Sequence, residues 1–347
     1  MSISVNRVLI HSMLTARRFC ETIIGMSRVP RDLHRSVTST FALLIVSVFA
    51  ARVRSAEPCP IVHPVAAGDT LRELADFYYG DRRFDSAILL ATNSRGREGF
   101  PFIADVNDIS KIDRVCVPAM TEAQRWRSRY ETYIRAVFDM TLPEPWNTTK
   151  DLVTFPRDEE ITVATWIREP QLKTFRDSSG QWITTAPSEI WVTVEPRLQQ
   201  FCSAYAGTHA GNHAQVTLRL EQRLGLPPAS GKTKFIRIRL AHPGQEVIFR
   251  PCMYPLTATV NCPDGPPPSE VDENHKNWIY HQYYSSYGQS RLSSFPWTSL
   301  GYTFDWAPAE HAEADTDFQK RGESEFVIRK GAPIEILAAL DTMDYCK

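Results

Sequence analysis

Three sets of residues have the types and spacing to do chemistry. The first is "GLPPASGKT", Gly225 to Thr233, whose glycines, lysine and threonine are the ingredients of a phosphate cradle. Five residues separate its glycines where a phosphate loop has four, and two prolines remove N–H groups that would hold phosphate. It also follows a helix-like stretch rather than a strand, so no nucleotide site is expected. The second set is histidine. His209 and His213 lie four apart, a spacing at which two imidazoles on a helix share a metal, but Gly211 and Asn212 weaken any helix there. With no acidic or cysteine ligand at the right spacing, two exposed loop histidines are expected. His275 and His281 are six apart and fall on different helical faces, so no metal or cofactor is expected.

The third set is cysteine. Of seven, Cys20 lies in an N-terminal stretch with the marks of an export leader, and the other six are Cys59, Cys116, Cys202, Cys252, Cys262 and Cys346. An even count in an exported chain points to disulfides, although six cysteines allow fifteen pairings. Cys252 and Cys262, ten apart around "MYPLTATVN", can close a loop.

The elements that position these residues begin after the leader. "FALLIVSVFAA", Phe41 to Ala51, is too short to cross a bilayer and sits between basic residues and the small pair Ser55-Ala56, the layout of a cleaved secretory signal. Counted from Met26, with Arg28, Arg31 and Arg35 as its basic region, the signal has ordinary proportions; residues 1–56 are assigned to it, and no membrane span is expected in the mature chain. The leader holds eight Arg and two acids, which leaves 31 basic against 38 acidic residues and makes nucleic acid an unsuitable partner. The chain names no protein partner.

Residues 57–120 carry concordant local signals. Gly68 supplies a turn, Thr70 and Glu73 form a capping box, and Leu71, Leu74, Ala75 and Tyr78 follow at helical spacing. Gly80 stops this helix and Asp81 opens a second, with Phe84, Ala87, Ile88 and Ala91 on one face before Asn93. "RVCVP", Arg114 to Pro118, alternates like a strand.

The order strand, helix, helix, strand, with Val65, Gly68, Asp69, Thr70, Leu71, Leu74, Ala75, Tyr78, Ile88, Asn93, Ile109 and "VCVP" from Val115, resembles the LysM family, a small βααβ module that binds glycans containing N-acetylglucosamine. The resemblance spans about a sixth of the chain. It departs from the family at Lys111-Ile112, where a Pro-Gly pair is usual, and in the longer stretch from Asn93 to Ile109. It implies a groove between the loop after the first strand and the loop before the last, made by Gly68, Asp69, Thr70 and Leu71 on one side and Ile109, Ser110, Lys111 and Ile112 on the other. Backbone groups at Gly68 and Asp69 would hydrogen-bond an acetamido group, with Leu71 and Ile112 against its methyl. The plainer reading makes Gly68 a turn and Asp69 and Thr70 helix caps. Antiparallel pairing of the first and last strands of such a module would bring Cys59 to Cys116, which leaves Cys202 for Cys346.

Thr121 to Met140 reads as a helix with Trp126, Tyr130, Tyr133, Ile134, Val137 and Phe138 on one face, and "TLPEPWNTTK" then reads as a boundary, so 121–154 is taken as a connecting helix and linker. In 155–347, "ITVATWI", "EIWVTVE", "KFIRIRL", "EVIFRPC" and "EFVIRK" read as strands, and Pro196–Ala206, Ala214–Leu224 and Ser269–Tyr287 as helices. Irregular alternation predicts an α+β domain, so the fold class is α+β: a small βααβ LysM-like module followed by a larger mixed domain. Sequence patterns of cell-wall zinc endopeptidases, L,D-transpeptidases and papain-like peptidases are absent, and the Glu-Ser of "GESEF" runs straight into a strand. The aromatic run "FPWTSLGYTFDW" suits either sugar stacking or core packing around Gly301, and packing is expected. The resemblance implies an exported, non-enzymatic envelope protein, periplasmic or extracellular, that binds peptidoglycan or a related glycan. The rivals are a cell-wall hydrolase with an unfamiliar site in 155–347, and an adaptor whose LysM fold no longer binds.

Overall fold

The computed structural model describes residues 58–139, 152–156, 159–209, 212–244, 246–252, 273–287, 294–307 and 321–347. The expected leader (1–56), the proline-bearing boundary and Cys262 lie outside them.

Strand β1 (Ile61–Pro64) pairs antiparallel with β2 (Arg114–Val117), Ile61 opposite Val117 and Pro64 opposite Arg114. Between them run helices α1 (Leu71–Tyr79) and α2 (Asp85–Asn93). Thr70 Oγ1 accepts from Glu73 N at 3.2 Å and donates to the Glu73 carboxylate at 2.9 Å, so Glu73 meets the cap through its hydroxyl. Gly80, at φ 68°, ends α1 in the left-handed conformation, with its N–H on Asp76 O. Leu71, Leu74 and Ala75 pack with Phe84, Ala87 and Ile88 against Val115 and Val117. Asn93 is buried and reads the chain back on itself: its Oδ1 accepts from Ile103 N at 2.7 Å and its Nδ2 donates to Ile103 O at 3.1 Å. That pair pins the long stretch from Asn93 to Ile109.

Helix α3 (Met120–Asp139) is shared by two cores. Ala123 and Tyr130 join the core of the first module, whereas Tyr133, Ala136 and Val137 pack against Phe304 and Trp306. The stripe expected on one face therefore covers two adjoining faces, and the described residues from 58 onward fall in one compact unit.

The larger part is built on a seven-stranded antiparallel sheet in the order β6-β8-β4-β3-β5-β9, with β7 also on β8. The strands are β3 (Ile161–Arg168), β4 (Ile190–Val194), β5 (Lys232–Leu240), β6 (Ile248–Phe249), β7 (Tyr302–Phe304), β8 (Arg321–Ile328) and β9 (Glu335–Asp341). One face, with Val163, Ile190, Val192, Ile236, Ile238 and Phe326, packs on Phe155, Phe175 and Val247. The other is covered by α4 (Arg197–Thr208) and α5 (His213–Arg223), whose Leu198, Cys202, Val216 and Leu220 meet Ala164, Trp166 and Phe235. Helix α6 (Glu273–Tyr287) and the short α7 (Thr342–Tyr345) complete the α+β architecture. Strand β9 is not expected from sequence, because the unbroken apolar run of "ILAAL" has no period of two. The strand expected over "EVIFRPC" shrinks to two residues.

Two disulfides are present among the described residues. Cys59 is bonded to Cys116 and Cys202 to Cys346, with Cα–Cα separations of 5.8 and 5.0 Å. Cys252 is also disulfide-bonded. Behind α5 lies a buried ion-pair network, Arg219 to Asp305 at 2.7 Å and Arg223 to Glu323 at 2.8 Å. The Glu of "GESEF" is thus a structural counter-ion. No helix among the described residues is long and apolar enough to cross a membrane.

Candidate functional site

The loops on either side of the β1–β2 pair lie side by side, because Val65 N donates to Asp113 O at 2.9 Å one step beyond the ladder. In the first loop Gly68 has φ 96° and open space where a Cβ would stand. The Asp69 carboxylate accepts from Ala66 N at 2.7 Å and sits 3.1 Å from His63 Nε2, while His63 Nδ1 is 2.9 Å from the Tyr78 hydroxyl. An ionised carboxylate only accepts, so Nε2 carries a proton. The Ala66 amide, then His63, hold the Asp69 carboxyl below its usual range. In the second loop, Ile112 N donates to Ile109 O to close a turn, and Asp108 accepts from the amide and hydroxyl of Ser110.

Of the eight residues the resemblance assigns to a groove, Gly68, Thr70, Ser110 and Lys111 are exposed, and Asp69 and Ile112 are half-buried. Leu71 and Ile109 are not available. They are 3% and 2% exposed because α1 and the turn direct them into the core. The apolar contact expected from Leu71 is therefore corrected, and Ile112 alone keeps an apolar edge toward the surface.

The remaining candidates have structural uses. The amides of Ala229 and Ser230 in "GLPPASGKT" donate to the Glu221 carboxylate at 3.1 and 2.7 Å, so the would-be phosphate cradle holds a carboxylate. Burial pushes that carboxyl up to about 7, against the pull of the Ser230 and Ala229 amides. His209 stacks on Tyr205 with centroids 4.0 Å apart, and His213 Nε2 lies 2.8 Å from Arg97. Both are half-buried rather than exposed. His275 is placed against Cys252 O and Trp278, and His281 is exposed. Trp297, Tyr302, Phe304 and Trp306 of the aromatic run are buried around Gly301. Among the described residues no group of three or more His, Cys, Asp or Glu is placed to hold a metal.

A site that sequence reasoning missed lies inside the sheet. Strands β3 and β4 share a ladder only at Val163–Val194 and Ala164–Thr193, then part. A cleft of about 280 Å³ opens between Thr165–Ile167 and Ile190–Val192, and a second cavity of about 320 Å³ shares with it Trp191, Leu224, Leu226, Lys232, Thr303 and Glu325. Glu325 stands opposite Thr193 in the β4–β8 ladder, so both side chains leave the same face. Glu325 turns part of its surface to the cavity, while its Oε2 is sealed from solvent and has no hydrogen-bond partner among the described residues. The same holds for Thr193 Oγ1 on the cleft wall and for Trp297 Nε1 on the wall of the second cavity. Burial pushes the Glu325 carboxyl up to about 8, with the nearby Trp297 indole pulling the other way. Burial, then the charge of Arg168, brings the Lys232 ammonium down to about 8, and Nζ donates to Trp166 O at 2.6 Å. The available signal was two glutamates at period two, Glu323 and Glu325, in a strand whose neighbours are apolar. Glu323 has Arg223, whereas Glu325 makes no ion pair among the described residues.

Comparison with protein-family models, with curated proteins and with solved structures finds no match to this chain.

Proposed function

We propose that this chain is an exported, non-enzymatic envelope protein that holds peptidoglycan or a related N-acetylglucosamine-containing glycan through residues 57–120. The observation that supports the reading is the Val65–Asp113 hydrogen bond, which joins into one seam the segment leading into the exposed Gly68 and Thr70 and the segment following the exposed Ser110 and Lys111; the amides of Asp69, Ser110 and Ile112 are taken up within their own turns, so a glycan would meet the backbone at Gly68. Such a seam suits an acetamido group, which needs one donor, one acceptor and a small apolar contact. Gly68, lacking a side chain, lets a sugar approach the backbone. The disulfides support an oxidising compartment.

The test is co-sedimentation of the full chain with purified peptidoglycan. The wild type is expected in the pellet, and a turn variant carrying Ser110→Tyr and Lys111→Glu in the supernatant with an unchanged melting temperature. Wild-type protein that stays wholly in solution refutes the reading. Release of soluble muropeptides from labelled peptidoglycan would replace it with the hydrolase.

A further inference from the structure

The cleft between β3 and β4 combines features that a purely structural interior avoids. Sheets keep their backbone groups paired, yet here two central strands separate after two residue pairs and present both lips to a cavity. Buried polar side chains are normally satisfied, yet Glu325 Oε2 and Thr193 Oγ1, which both line the cleft, have no hydrogen-bond partner among the described residues. Each such group costs stability, so their convergence on one cavity calls for a ligand to satisfy them.

The lining also restricts what that ligand can be. Glu325 and Lys232 border both cavities, and Glu189, which accepts from the Trp278 indole, adds a second carboxylate to the cleft, so a strongly anionic ligand meets two carboxyl groups and a strongly cationic one meets Lys232. The Thr193 and Thr303 hydroxyls together with the parted strand backbones offer donors and acceptors in number. The indole of Trp191 supplies a flat apolar wall common to both cavities. A volume of about 280 Å³ gives room for one ring of sugar size.

We infer that the cleft between β3 and β4 is a binding site for a neutral, hydroxyl-bearing ring of monosaccharide size, oriented by Glu325 and Thr193 against Trp191. This site is separate from the glycan seam of residues 57–120 and stands whether or not that seam binds. Trp emission and calorimetric titration of the full, oxidised chain with glucose, mannose and N-acetylglucosamine test it, with inorganic phosphate and tetramethylammonium as charged probes. Saturable binding of at least one sugar is expected, weakened about tenfold or more by Glu325→Met and several-fold by Thr193→Val. Glu325→Met is also expected to raise the melting temperature, because it removes an unsatisfied group, and this shows that lost binding is not lost folding. Lys111→Glu, which alters only the seam, leaves the glucose and mannose titrations unchanged, the seam being proposed to take N-acetylglucosamine alone of the three. The inference is overturned if no sugar binds saturably, if a charged probe binds in preference, if Glu325→Met keeps full affinity, or if Lys111→Glu abolishes it.

Discussion

The seam of the first module and the cleft of the sheet treat polar groups in opposite ways. In the seam they satisfy one another: Asp69 takes the Ala66 amide, Thr70 caps Glu73, and Asp108 takes Ser110. Each is explained by turn and cap chemistry before any ligand is considered. In the cleft, Glu325 Oε2 and Thr193 Oγ1 have no hydrogen-bond partner among the described residues. A motif rich in polar residues can thus be structurally complete, while two residues drawn from separate strands are not. The orphaned groups are the better pointer to an unsupplied partner.

That contrast breaks down or sharpens under substitution. The largest effect is expected where burial and pairing coincide: Asp305→Ala strands the Arg219 guanidinium in the interior and should destabilise by about 3 to 5 kcal/mol in chemical denaturation. Removing the Cys59–Cys116 bond by a double alanine change should cost about 2 to 4 kcal/mol, read from the same curves. In the cleft the sign reverses, and Glu325→Met should gain about 1 to 3 kcal/mol; a loss of that size would mean that Glu325 has an unseen structural partner. In the seam, Lys111→Glu should change stability by less than about 0.5 kcal/mol, because Lys111 is exposed.

The two regions also carry opposite pH dependence. Asp69 has a lowered folded pKa, so its contribution is complete above its ordinary value of 3.8 and disappears as the pH falls through the lower folded value. Glu325 has a raised one, so its contribution is complete below its ordinary 4.5 and is lost as the pH rises through about 8. Glu221 acts in the same direction as Glu325 up to about 7, whereas Lys232, lowered to about 8, adds stability only above that pH. The comparison therefore uses differences: melting temperature between about pH 5 and pH 8 should fall less in Glu325→Met than in wild type. Equal slopes would place the Glu325 carboxyl in an ordinary solvated setting.

Local elements were legible wherever one stretch of chain contains its own explanation. Thr70 with Glu73, Gly80, the stripe Leu71-Leu74-Ala75 and the alternation of "ITVATWI" each follow from spacing, because helix and strand periods and cap hydrogen bonds act within a few residues. Leu71 shows the limit. Its spacing marked it for the helix face, and only packing showed that this face is wholly core and leaves nothing for a sugar.

The sequence by itself determined the order of elements, the apolar faces and the cysteines from which the bridges are drawn. Tertiary structure alone decided that β3 and β4 part after Ala164 and Thr193, that Glu325 borders the gap with no ion pair among the described residues while Glu323 two residues earlier meets Arg223, and that α3 serves two cores. The reason is physical: whether a buried polar group is satisfied depends on residues far away in the chain, and no local period encodes the distance to them.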